Sequence, residues 1–220
     1  MDPGATIAVV LFAGIAGARY YWSEAQRITR SLRAAKRWPI AELPENTLGR
    51  VIGLARAIQD PLIAPLTGRA CVYYIATVKK DSDDQDVVVT EHKGVPFSIE
   101  DPTGRAIVDP TDARITLVFD HTQRTGSHRP PNQDEETLLL RHGYTSKGKG
   151  KRQLSAPEFS EAVIEIGDQI AVLGSGIREP DLDRAPASAY REGPPTLLRL
   201  TSSARYPLLI SDEPSTTKRT

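Results

Sequence analysis

The sequence predicts a mainly β protein: one N-terminal transmembrane helix, then a small domain of β-barrel or sandwich type carrying a long polar loop. Three observations carry this. The stretch Pro3 to Ala18, PGATIAVVLFAGIAGA, holds no charged residue. From residue 47 onward, short β-branched and aromatic runs alternate with Gly, Pro, Asp and Asn, the pattern of strands and turns. After Trp38 no stretch reads as an amphipathic helix of more than a few turns.

The uncharged run is just short of the roughly 20 residues that cross a bilayer. Snorkelling by Arg19, with Tyr20, Tyr21 and Trp22 at headgroup level, completes an anchor over residues 3–22. A cleaved export signal and a buried core helix are the competing readings, the first because AGA resembles a cleavage site. Export signals begin with basic residues, however, and this chain begins Met1-Asp2-Pro3. The basic residues follow the run instead: Arg19, Arg27, Arg30, Arg33, Lys36 and Arg37, against Glu24 alone. Positive residues stay in the cytoplasm, so the expectation is a single-pass protein with its N-terminus out and the remainder on the cytoplasmic side.

Residues 23–44 are expected as a basic juxtamembrane helix and linker. SEAQRITRSLRAAKRW lacks Gly and Pro and opens on Ser23, a suitable cap. Arg27, Arg30, Arg33 and Arg37 fall at helical spacing on one face. Together with Arg19, Tyr20, Tyr21 and Trp22 they are the candidate membrane-surface residues. That face either lies on anionic lipid, at up to about 1 kcal/mol per charge, or is solvated and only fixes topology. Pro39 ends the helix and IAELPEN links it onward.

The β-rich domain is expected over 45–212. GRVIGLARAI (49–58) reads as a strand in which Gly53 marks a bulge or a close approach. ACVYYIATVKK is a strand buried on both faces, followed by a polar tip, DSDDQD, and a return strand, VVVTEHKG. In VPFSIEDPTGRAIVDP (95–110), Asp101-Pro102-Thr103-Gly104 has ideal turn composition for a hairpin. AVIEIGDQIAVLG (162–174) reads as a further hairpin around Gly167-Asp168, and TLLRLT and YPLLIS as final strands. Residues 120–157 hold much Pro, Gly and charge and little to bury, which predicts a mobile loop. Residues 213–220 predict a disordered tail.

Chemistry is sparse. Lys plus Arg and Asp plus Glu are equal at 28 each and aromatics are 6%, so no net field recruits nucleic acid. The single cysteine permits no internal disulfide and no thiolate zinc cluster. Cys71 sits among Ala70, Val72, Tyr73, Tyr74 and Ile75, surroundings that pack a thiol rather than activate it. Strict alternation places Cys71, Tyr73 and Ile75 on one face, Val72 and Tyr74 on the other. His92, His121, His128 and His142 show no zinc-site spacing. DSDDQD lacks the sixth-position glycine and closing glutamate of a calcium loop. Asp101 and Asp109 are better explained as turn caps than as acids, and KGKGKRQ as a flexible basic linker. The residues present therefore predict no catalytic set, cofactor or metal.

Two blocks in this order, DPLIAPLTGRACVYYIATV and PFSIEDPTGRAIVDP, followed by GDQIAVLG and preceded by the uncharged run, resemble the GIDE or "beside a membrane" domain of MULAN-type mitochondrial ubiquitin ligases. The resemblance covers about residues 45–178 and rests on Pro61, Leu62, Pro65, Gly68, Cys71, Tyr73, Tyr74, Phe97, Asp101 and Gly104. It implies a fold, not catalysis, and the domain it resembles is also described as lying beside a membrane. In that family a second membrane span and a zinc-binding RING finger complete the ligase. Here no second apolar run follows residue 178, and one cysteine with four scattered histidines cannot furnish two four-ligand zinc sites. Ubiquitin transfer is the activity the family label alone would give. The residues imply instead a non-catalytic interaction module whose partners are the lipid bilayer and a protein or peptide.

Overall fold

A computed structural model describes residues 15–80, 86–148, 152–181, 196–202 and 206–218. In chain order the elements are helix α1 (Ile15–Ala34), a 3-10 turn η1 (Ile40–Glu42), and strands β1 (Gly49–Ala57), β2 (Leu62–Ile63), β3 (Ala70–Lys79) and β4 (Val87–Gly94). Strands β5 (Phe97–Asp101), β6 (Gly104–Val108), β7 (Arg114–Thr116) and β8 (His121–Arg124) precede helix α2 (Gln133–Arg141). Strands β9 (Glu158–Glu165), β10 (Gln169–Pro180), β11 (Thr196–Thr201) and β12 (Leu209–Ser211) follow, then helix α3 (Pro214–Thr217).

The chain is mainly β, and its described residues form two compact units. One draws on the described residues within Met1–Glu24, Leu62–Gly94 and Leu117–Ile164; the other on those within Ala25–Pro61, Val95–Thr116 and Glu165–Thr220.

The second unit contains a closed five-stranded barrel, β1-β5-β6-β11-β10, shut by the β1–β10 pairing and extended by β12 and β7. Alternation along each strand fills it: Val51, Ala55, Phe97, Ile99, Ala106, Val108, Ile170, Val172, Leu198 and Leu200 are all fully buried. Closure at five strands brings backbones close, and two inward glycines mark where. A Cβ on Gly53 would lie 2.6 Å from the Glu100 carbonyl, and one on Gly176 2.3 Å from that of Arg199. Gly53 is thus a close approach, one of its two expected roles. The β5–β6 turn forms as its composition predicts: the Asp101 carboxylate accepts from the Thr103 and Gly104 amides at 2.7 and 2.9 Å. The same carboxylate receives the Ile40 amide at 2.9 Å, seating η1 on the barrel. Arg178 then donates to the carbonyls of Ile40, Ala41 and Leu43.

The first unit is a sheet, β2-β3-β9-β8, with β4 paired to β3. Helix α2 covers one face through Leu138 and Leu139, which join Cys71, Tyr74, Ala76, Val78, Val89, Phe159 and Val163 in the core. The helix starts on a capping box: Asn132 accepts from the Glu135 amide at 2.8 Å, and Glu135 accepts from the Asn132 amide at 2.7 Å.

Several expectations need correction. The segment 120–157 is not a loop throughout, since β8 and α2 lie in it; the leucines of LLLRHGY give α2 an apolar face to bury. The tail is not wholly disordered, because α3 forms and buries Thr216 and Thr217. The strands around Gly167-Asp168 exist but make no hairpin with each other: β9 belongs to the sheet and β10 to the barrel. The single 45–212 domain is two units. Residues 3–14 of the expected anchor lie outside the described residues, as do most of the 81–86 tip and residues 149–151 of the basic linker. Among the described residues no helix is long and apolar enough to cross a membrane.

Candidate functional site

The expected membrane-surface residues lie along one element. Helix α1 runs unbroken from Ile15 to Ala34, so Arg19, Tyr20, Tyr21 and Trp22 share a helix with Arg27, Arg30 and Arg33. Its apolar positions follow an i, i+4, i+7 pattern: Ile28 and Leu32 are buried against Ile52, Ala171 and Leu173 on the outside of the barrel, and Ala35 packs beside them. Each of the two large side chains contributes about 1.5–3 kcal/mol by leaving water. Arg27, Arg30 and Arg33 are exposed, on the part of the helix the barrel does not cover. The stem therefore uses its oily stripe on protein and leaves its basic face free.

Beyond α1 the chain joins the barrel. Trp38 donates its amide to the Arg50 carbonyl at 2.8 Å, and the Arg50 amide donates to the Lys36 carbonyl at 3.0 Å. Arg37 and Arg50 are consequently partners in a parallel bridge. Arg37 is half-buried and Arg50 is buried. The Lys36 ammonium lies 3.6 Å over the Trp38 ring, a cation–π contact that covers the indole.

The residues shared with the GIDE resemblance separate between the two units. In the sheet unit, Leu62 is the cross-strand partner of Cys71, and Gly68 takes a φ of 69° in the turn between them. That turn is held by Glu161, which is fully buried on β9 and accepts from the Leu66 and Thr67 amides at 2.7 and 3.1 Å and from the Thr67 hydroxyl. Cys71 is fully buried, as expected of a packing thiol. It shares a core with Tyr74, Ala76 and Val78 rather than with Tyr73 and Ile75, the neighbours strict alternation gave it. Tyr73 instead meets His92, hydroxyl to Nδ1, at 2.9 Å. Burial pushes the His92 pKa down, so the ring is neutral. In the barrel unit, Phe97 is fully buried, Asp101 caps its turn, and Gly104 lies against Ile40.

One polar constellation was not foreseen. Glu91 on β4 accepts from the Tyr74 hydroxyl at 2.8 Å, from His142 Nε2 at 2.8 Å and from the Arg141 guanidinium. Burial alone would raise the Glu91 pKa; the hydrogen bonds from His142 and Tyr74 and the charge of Arg141 outweigh it and hold the carboxyl below its usual range. Burial, then Glu91 itself, pushes the Tyr74 phenol well up. A neutral phenol thus donates to an ionised carboxylate, and His142 carries its proton on Nε2. A histidine–carboxylate pair is also the orienting half of an acid–base site. Here both carboxylate oxygens of Glu91 are taken, by Tyr74 on β3 and by Arg141 and His142 at the C-terminal end of α2, so the cluster fastens helix to sheet. Nothing local announces it, because Glu91 and His142 are separated by 51 residues.

Among the described residues no group of three His, Cys, Asp or Glu side chains is placed to hold a metal ion. Comparison with protein-family models, with curated proteins and with solved structures finds no match to the chain. Its function is therefore read from these residues alone.

Proposed function

We propose that this protein is a single-pass, membrane-tethered β module, with its N-terminus outside and its folded units on the cytoplasmic side, acting without catalysis as an interaction or sensing domain at the membrane surface. The observation that supports this most is α1. It is one helix from within the charge-free stretch to the barrel wall, docked by Ile28 and Leu32 with Arg27, Arg30 and Arg33 left exposed. A rise of ~1.5 Å per residue puts the docking residues Ile28 and Leu32 about 14 and about 20 Å along the helix from Arg19. A rigid stem of that length holds the barrel beside the bilayer, and its basic face suits a surface of anionic lipid. The resemblance to the GIDE domain points the same way, and the partner beyond the bilayer is a protein or peptide. Ubiquitin transfer is not part of the proposal, since one cysteine among these 220 residues cannot ligate the zinc ions of a RING.

Charges placed in the run test it. Val9→Arg with Phe12→Arg adds about 2.5–3.5 kcal/mol of insertion cost for each arginine near the middle of a span. The doubly substituted full chain is expected to move from the membrane pellet to the soluble fraction with its folded units intact. Unchanged membrane retention would contradict the anchor.

A further inference from the structure

The pairing of Arg37 with Arg50 is an arrangement a protein rarely keeps without a reason. Bridge partners project their side chains from the same face of a sheet, and like charges opposite each other are destabilising. Arg50 is only 4% exposed, and a guanidinium does not shed its charge to escape burial. No carboxylate among the described residues pairs with either arginine. Arg50 Nη1 donates to the Thr216 carbonyl at 3.3 Å, while its Nε is buried without a partner. Burial, and then the neighbouring Arg37, disfavour its charged form. Of the neighbouring residues, Lys36 is exposed over Trp38, Arg33 closes the last turn of α1, and Glu213 caps α3, whose Thr216 carbonyl Arg50 meets.

From this geometry we infer that Arg37 and Arg50 form a site for a phosphate-bearing anion at the foot of α1. An oxyanion between the two guanidiniums relieves their repulsion and gives the Arg50 Nε the acceptor it lacks. Phosphate oxygens match the planar guanidinium fork, which an ammonium does not offer. The ligand is a phosphate monoester, carried by a lipid headgroup or by a soluble molecule; only the first source rests on the membrane reading, and the arms of the test distinguish the two.

The test follows thermal unfolding of the full chain in phosphatidylcholine vesicles, in the same vesicles containing phosphatidic acid, and in phosphatidylcholine with inorganic phosphate added. Phosphatidic acid is expected to raise the midpoint, because a ligand that binds only the folded state stabilises it. Arg37→Gln, at a half-buried position, is expected to keep the fold and to require about tenfold more phosphatidic acid for the same rise. Arg50→Gln should abolish the rise. Lys80→Gln removes the same single charge from an exposed position after β3 and should leave the rise in place. A rise with inorganic phosphate as well identifies the phosphate group itself as the ligand; a rise with phosphatidic acid alone assigns it to the lipid. No rise in either, or equal losses in the Arg37 and the Lys80 variants, overturns the site. Failure of the tether instead appears as loss of membrane retention, with the response to phosphate unaffected.

Discussion

Replacing Glu91 by alanine is expected to destabilise the sheet unit by about 3 kcal/mol. The substitution leaves the Tyr74 hydroxyl, His142 Nε2 and Arg141 without their shared acceptor. A buried group stranded in this way loses about 1–3 kcal/mol, and breaking a buried charge pair from one side costs about 3–5. Arg141 is half-exposed and recovers water, which keeps the total at the lower end. Denaturant unfolding checks the size, and amide exchange along β3 and β4 checks the place. Glu91→Gln retains an acceptor and should lose less. The wild type carries an additional acid limb. The Glu91 pKa is lower folded than unfolded, so its contribution is complete above the ordinary glutamate value of about 4.3 and vanishes as the pH falls through the folded value. The glutamine variant should lack that limb. Equal stability of wild type and alanine variant at neutral pH would show that the cluster does not fasten α2 to the sheet.

The second large effect is expected at Gly176. A Cβ there lies 2.3 Å from the Arg199 carbonyl oxygen and 2.9 Å from its carbon, both backbone atoms of the strand paired to it. In a closed barrel that strand cannot withdraw without opening its next pairing, so Gly176→Ala is expected to cost about 3 kcal/mol. Gly174→Ala makes a comparably short contact, 2.2 Å, but with the Leu208 side-chain methyl. A side chain turns away more easily than a backbone, and about 1 kcal/mol is expected. Thermal unfolding of the two variants side by side separates the cases. If Gly174→Ala proved the worse of the two, the β10–β11 pairing would be looser than barrel closure requires.

What the sequence discloses and what it hides divide along one line. Features set within a few residues were legible: the strand around Val51, the β3 run with its buried Cys71, and the Asp101–Gly104 turn. So was the approach at Gly53, because a glycine within an apolar strand has few other reasons to be there. Helix α2 was legible in principle, since Asn132 followed three positions later by Glu135 is a capping box, but the surrounding polar residues hid it. Where a local signal misled, a distant partner had overruled it. Gly167-Asp168 makes a tight turn between two strands that then pair elsewhere, β9 with β3 and β8, β10 with β1. The polar groups that matter most were not legible at all. Glu161 meets Leu66 across 95 residues, and Arg50 meets Thr216 across 166. Pairings at that distance are decided by the assembled sheets and leave no spacing to read.

The whole account depends on the chain being held in a membrane by its uncharged leader. The most direct measurement is extraction of membranes from cells expressing the full chain, first with high salt and then with alkaline carbonate, with the N-terminus of the recovered protein sequenced. The account predicts that the protein stays with the membranes through both washes and still begins at or next to Met1. Recovery in the first soluble fraction, or a mature N-terminus near Arg19, would contradict it.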